Sequence, residues 1–252
     1  MIPKIIHYCW FGGAEKPELV KKCINSWNTY CPHYKIIEWN ENNFDINANC
    51  YVREAYEARK WAFVSDYARL YALVNFGGIY LDTDVELFKP LDLFLNDAAF
   101  IGFESKDFLG TAIISSEQGN EIFEKLLHLY DERRFIVGGE QDISTNPILF
   151  TNYFLHHGLV LDGKKQNING CIVYPQKYFF PNEFLNIFGK HSKKCYATHH
   201  SVGSWTDNDK YKRNIIQRTR MYVGRGMRNI IGTDNIIKTL GLFSRIKNAR
   251  LK

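Results

Sequence analysis

The stretch Ser65–Pro90 (SDYARLYALVNFGGIYLDTDVELFKP) constrains the fold more than any other part of the chain. Apolar residues recur at three- and four-residue spacing through its first half and back to Tyr56, which predicts one packed helix over Tyr56–Phe76. Gly77-Gly78 ends that helix, because glycine tolerates the positive φ of a helix C-terminus. Ile79–Val85 then predicts a short buried strand. Alternation along that strand puts Asp82 and Asp84 on one face, roughly 6–7 Å apart, with Leu81, Thr83 and Val85 on the other. Two carboxylates so placed repel each other unless a positive group lies between them. An oxygen-rich pair of this kind suits Mg²⁺ or Mn²⁺, ions that commonly accompany the phosphates of a substrate. A bare D-x-D also arises in solvated turns. Here Ile79, Leu81, Val85 and Leu87 set the aspartates at the mouth of a core.

The helix carries a second pair. Asp66 and Arg69, three residues apart, share one side of it. They read either as a surface ion pair worth under about 1 kcal/mol or as a substrate-binding pair on a rigid element. Strand-like runs at Lys35–Trp39, Ala99–Phe103 and Thr111–Ser115 alternate with helical patterns, which predicts βα units and a mostly parallel sheet. Phe108–Ile114 reads as a further strand. At 252 residues, 45% apolar and 15% aromatic, the chain is large enough for one α/β domain with a substantial core.

The run Ser65–Pro90 resembles the core signature of family 32 glycosyltransferases, and is similar to the glucosyltransferase domains of large clostridial toxins. Two further segments match that family in order: Ile2–Gly13 (IPKIIHYCWFGG) and His199–Trp205 (HHSVGSW). The resemblance spans nearly the first 205 residues. It implies a GT-A type, single-domain α/β/α sandwich over residues 1–209, with a mostly parallel central sheet and a metal at the D-x-D. It further implies a retaining, nucleotide-sugar-dependent enzyme that uses Mn²⁺ or Mg²⁺ and favours a UDP-sugar over GDP-mannose. By position, Trp10 would stack on the base, a contact worth roughly 1–3 kcal/mol. Asp66 and Arg69 would hold the ribose and donor sugar, with Tyr80 nearby. Asp82 would lie by the ribose and metal, and Asp84 would be the more direct ligand. His200 would complete the metal shell, with His199 as the neighbouring alternative, and Ser204 and Trp205 would contact the diphosphate. Some retaining glycosyltransferases carry a Gln-Asp-Ile run facing the donor sugar, which gives Gln141 and Asp142 that role here. An acidic N-cap for a helix entering at Ile148 is the competing reading of Asp142.

The six cysteines have no close C-x-x-C spacing, which argues against a zinc ribbon. No leader and no run of about 18 apolar residues is present. The expected setting is therefore the bacterial cytoplasm, with a capsule, O-antigen or lipid-linked glycan as acceptor. Residues 210–252 hold twelve Lys or Arg against Asp234 alone, a net of +11 in a chain whose total is +5. Ile236, Ile237, Leu240, Phe243 and Ile246 would form one apolar stripe there. This segment reads as a basic amphipathic helix on an anionic membrane surface or as a solvated or packed helix. Nucleic acid is disfavoured, because no aromatic platform accompanies the charge. Two other classes remain. A sugar nucleotidyltransferase would need a glycine-rich basic loop for a triphosphate, which Trp10-Phe11-Gly12-Gly13 is not. A non-catalytic glycan-binding module would have no use for a metal–diphosphate site.

Overall fold

The computed structural model describes residues 1–181 and 194–201. The seven-stranded sheet at its centre runs β2-β1-β3-β6-β5-β10-β9. Its strands are β1 (Ile5–Cys9), β2 (Lys35–Trp39), β3 (Gly78–Leu81), β5 (Ala99–Phe103), β6 (Leu109–Ser116), β9 (Gln166–Ile168) and β10 (Cys171–Tyr174). Strands β1, β2, β3, β5 and β10 point one way, while β6 and β9 run against them. The sheet is thus mixed, with its parallel members in the majority, as the alternating strand and helix patterns led one to expect.

Alternation along the strands feeds two cores. Ile6, Tyr8, Ile79, Leu81 and Phe100 face one side, where α1 (Glu18–Tyr30) contributes Cys23 and Trp27. Cys9, Tyr80, Ile101, Phe103 and Val173 face the other, against α2 (Cys50–Glu57), α3 (Trp61–Phe76), α4 (Glu121–His128) and α5 (Asn146–His156). Helices and loops therefore cover both faces, the sandwich expected of the chain. Two small ribbons complete it: β4 (Val85–Leu87) with β11 (Ala197–His199), and β7 (Ile136–Val137) with β8 (Glu140–Gln141). No described helix is long and apolar enough to cross a membrane.

The helix predicted over Tyr56–Phe76 is in fact two. Arg59 adopts a φ of 55°, and the N–H of Lys60 turns back to Ala55 O at 2.8 Å, which closes α2 before α3 starts at Trp61. Gly77 and Gly78 do end α3, with φ of 60° and 111°. A Cβ on Gly78 would stand 2.7 Å from Ile5 O, and one on Gly77 2.6 Å from Gln118 N, so both positions require glycine.

His7 ties β1 to this turn. It is fully buried; its Nε2 donates to Gly77 O at 2.8 Å, and its Nδ1 accepts from Trp39 Nε1 at 3.1 Å. Burial pushes its pKa down to about 4, against the raising effect of the Gly77 carbonyl. A folded pKa below the unfolded 6.5 means that the unfolded chain binds the extra proton, so His7 lends stability above pH 6.5 that disappears on acidification to pH 4. The expected loss over that window is about 3 kcal/mol. Urea midpoints measured from pH 7 to pH 4 should fall more steeply for the native chain than for His7→Gln, and equal slopes would refute this.

Candidate functional site

The site lies beyond the carboxyl ends of β1 and β3, where the register pairs His7 with Tyr80. The strand expected over Ile79–Val85 stops at Leu81. Asp82-Thr83-Asp84 is a turn closed by the N–H of Val85 on Asp82 O at 3.0 Å, and β4 resumes at Val85. The two carboxylates therefore meet through a turn rather than through strand alternation. The N–H of Asp82 still bonds Ala112 O at 2.8 Å, the rung after Leu81–Ile113 in the regular β3–β6 ladder, and the chain turns only beyond it.

Arg69 organises the interior side. Its Nη1 donates to Thr111 O at 2.9 Å and its Nε to Ser65 O at 3.1 Å. Its Nη2 lies 3.0 Å from Asp66 Oδ1 and 3.3 Å from Asp82 Oδ1, and its guanidinium rests 4.6 Å over the Tyr80 ring. Asp66 and Arg69 are both buried, so the surface-pair reading of this couple does not hold. Burial raises the Asp66 carboxyl to about 6, with Arg69 pulling it back. Burial opposes the Arg69 charge as well, but Asp82, Tyr80 and Asp66 hold it firmly protonated. Tyr80, pushed well up by burial, stays neutral and donates to Asp82 Oδ1 at 2.9 Å. One oxygen of Asp82 is thereby engaged by Arg69 and Tyr80.

On the outer side, one ligand atom each from Asp82, Asp84 and His199 falls within 4.8 Å of the others. His199 Nε2 lies 3.2 Å from Asp84 Oδ1, and its Nδ1 lies 3.5 Å from Glu104 Oε1 and 3.3 Å from Ser201 Oγ. Burial alone would lower the His199 pKa, yet hydrogen bonds with Asp84 and Glu104 raise it to about 10. The cluster therefore demands a positive charge, which a proton on His199 supplies. Two carboxylates and an imidazole are also a donor set that fits Mn²⁺ or Mg²⁺.

The histidine expected here was His200; the structure brings His199 instead. The N–H of His200 caps Asp84 O at 3.0 Å, while its Nε2 turns to Glu86 Oε2 at 3.0 Å, a carboxylate shared with Lys22. β11 ends at His199, whose pairing with Val85 sets it beside the turn, and His200 follows the strand and turns to Glu86.

Trp10 follows β1 at the same edge of the sheet, half-buried, with Nε1 donating to Ala14 O at 2.7 Å. Lys16 Nζ sits 5.6 Å from its ring and is held by Glu38 at 2.8 Å. Gln141 is exposed on β8. Asp142 is bound by Arg133 through Nε at 3.0 Å and Nη2 at 2.9 Å, and it accepts from the N–H of Ser144 at 3.0 Å. Asp142 is not a helix cap, since α5 begins at Asn146 with Thr145 in the N-cap position. Ser204, Trp205 and the basic segment 210–252 lie outside the described residues. Glu104 and Thr111 escaped the sequence reading. Glu104 follows β5 and Thr111 lies on β6, both outside the motif in sequence, and neither has a spacing that would have marked it.

Residues 17–101, from α1 to β5, match the model of a glycosyltransferase sugar-binding region containing a DXD motif. An uncharacterized glycosyltransferase of Acanthamoeba polyphaga mimivirus is 26% identical, over 81% of this chain and 84% of that protein. The chain is a glycosyltransferase. Among solved structures, the PaToxG glycosyltransferase aligns over 62% of this enzyme and 69% of its own chain, at 19% identity and a TM-score of 0.48. A glycosyltransferase involved in glycosylating the major capsid of PBCV-1 aligns over 84% of this enzyme and all of its own chain, at 14% identity and a TM-score of 0.44.

Proposed function

We propose that this glycosyltransferase is metal-dependent and of the family 32 type, moving a sugar with retention of configuration from a nucleotide-sugar donor, a UDP-sugar in the first instance, to a surface glycan. The observation that carries the metal and the donor is the convergence of Asp82, Asp84 and His199 beside the buried Asp66–Arg69 pair. Mn²⁺ or Mg²⁺ would be held by Asp84, His199 and the less engaged oxygen of Asp82, and would supply charge neutralisation for the departing diphosphate. The remaining work belongs to the chain. Arg69 and Tyr80 fix the Asp82 carboxylate from behind, so the outer oxygens present a set geometry. Asp66, in its buried carboxylate form, orients hydroxyls of the ribose or donor sugar, and Trp10 offers an aromatic face to the base. Such positioning of reacting groups accounts for much of the barrier reduction in group transfer. Retention, and a capsule, O-antigen or lipid-linked glycan as acceptor, follow from the resemblance of the motifs at Ile2–Gly13, Ser65–Pro90 and His199–Trp205.

A thermal-shift screen of UDP-glucose, UDP-galactose, UDP-N-acetylglucosamine and GDP-mannose, with and without Mn²⁺, tests this reading. A cognate donor at 100 times its Kd adds about 2.7 kcal/mol, which for a domain of this size raises Tm by roughly 5–10 °C. The rise is expected only with the metal. A flat melting point for every donor with every divalent ion would overturn the proposal.

A further inference from the structure

Asn146 opens α5, yet its hydrogen bonds reach out of that helix. It is fully buried. Its Nδ2 donates to Asp66 O at 2.7 Å, and its Oδ1 accepts from the Tyr130 hydroxyl at 2.5 Å. Its own backbone N–H, one of the helix donors with no intrahelical acceptor, faces Asp66 Oδ2 at 3.3 Å. Arg69 holds the opposite carboxylate oxygen, so Asp66 is gripped at both oxygens and at its carbonyl. Tyr130 extends the chain of contacts. Arg133 lies 5.0 Å over its ring and clasps Asp142, the residue that follows β8.

We propose that Asn146 is a positioning residue, with Tyr130 as its anchor, that fixes the rotation of the Asp66 carboxylate toward the donor. The inference rests on the donor-site reading above. A residue needed only to fill this space would be better served by an apolar side chain, because a buried amide costs free energy unless it is hydrogen-bonded. Here Nδ2 donates to α3 and Oδ1 accepts from the turn after α4, which registers the start of α5 against Asp66. Removing the Tyr130 hydroxyl leaves the aromatic packing in place but frees the amide to turn.

The test compares Tyr130→Phe and Asn146→Ala with the native chain, each first checked for folding by circular dichroism and melting. Isothermal titration with Mn²⁺ uses UDP-glucose, UDP-galactose, UDP-N-acetylglucosamine and GDP-mannose, and alongside them UDP and GDP. A positioning role acts on the sugar end of the donor. The expected result is at least a tenfold loss in sugar-donor affinity and in kcat/KM, with nucleoside diphosphate affinity held within about twofold. A purely structural role would lower the melting point and leave the ratio of the two affinities unchanged, and that outcome in folded Tyr130→Phe overturns the proposal. Should Asn146→Ala fail to fold, Tyr130→Phe decides alone. A native chain that binds none of the sugar donors with Mn²⁺ overturns the donor reading, and this proposal with it.

Discussion

Arg69→Met is expected to cost about 3–5 kcal/mol of folding stability, the loss typical when one member of a buried ion pair is removed. Methionine fills much of the aliphatic volume, so the effect isolates the charge. What remains is a buried Asp66 carboxylate whose strongest partner is gone, with Asn146 N–H at 3.3 Å as its surviving donor, and an Asp82 that keeps only the Tyr80 hydroxyl on that oxygen. The Asp66 carboxyl already stands near 6 because burial disfavours its charge, and loss of Arg69 removes the largest opposing pull. A carboxyl whose folded pKa exceeds its unfolded 3.8 contributes stability at low pH and loses it as pH rises through the folded value. The deficit of Arg69→Met should therefore be smaller at pH 5 than at pH 8, and the double variant Asp66→Asn/Arg69→Met should recover a large part of it at pH 8. Urea unfolding of the four chains at both pH values makes the cycle. A single-variant loss below about 1 kcal/mol would return the pair to the status of a surface contact.

That pair also shows where sequence was a sufficient guide. The helix, the Gly-Gly stop and the strand after it were legible, because each rests on local chemistry: apolar spacing, and two positions where a Cβ would strike backbone. The break at Arg59 was not, since the apolar period runs unbroken across it and the decision falls to a single left-handed residue and one returning N–H. The placement of the aspartates was right while its reason was wrong. The ladder with β6 ends at the bond from Asp82 N–H to Ala112 O, and the chain then turns, closed by Val85 N–H on Asp82 O. The choice between His199 and His200 depends on the register of β11 against β4, a long-range pairing to which neither histidine's neighbours give any clue. Glu104, Thr111 and Asn146 belong to the same class: each acts through a contact closed by topology. Motif residues were legible, and the groups that hold them were not.

The second large effect concerns the outer cluster. Asp84→Asn is expected to abolish the Mn²⁺-dependent stabilisation by a donor and to lower turnover roughly 10³-fold, the equivalent of about 4 kcal/mol of charge stabilisation at the leaving group. Folding should lose the contribution of the His199–Asp84 contact but keep the turn, whose backbone contacts, Val85 N–H to Asp82 O and His200 N–H to Asp84 O, do not involve the side chain. The substitution also removes the first of the hydrogen bonds that lift His199 to about 10, so its imidazolium should titrate at lower pH in the variant, which ¹H–¹⁵N NMR of the ring can follow. The two neighbouring histidines give the decisive contrast. His199→Gln should reproduce the loss of metal response seen in Asp84→Asn, whereas His200→Gln, whose ring is occupied with Glu86, should keep it within a few-fold. Were the order reversed, the cluster of Asp82, Asp84 and His199 would not be the metal site, and the turn would have to rearrange to bring His200 around before any cation could bind.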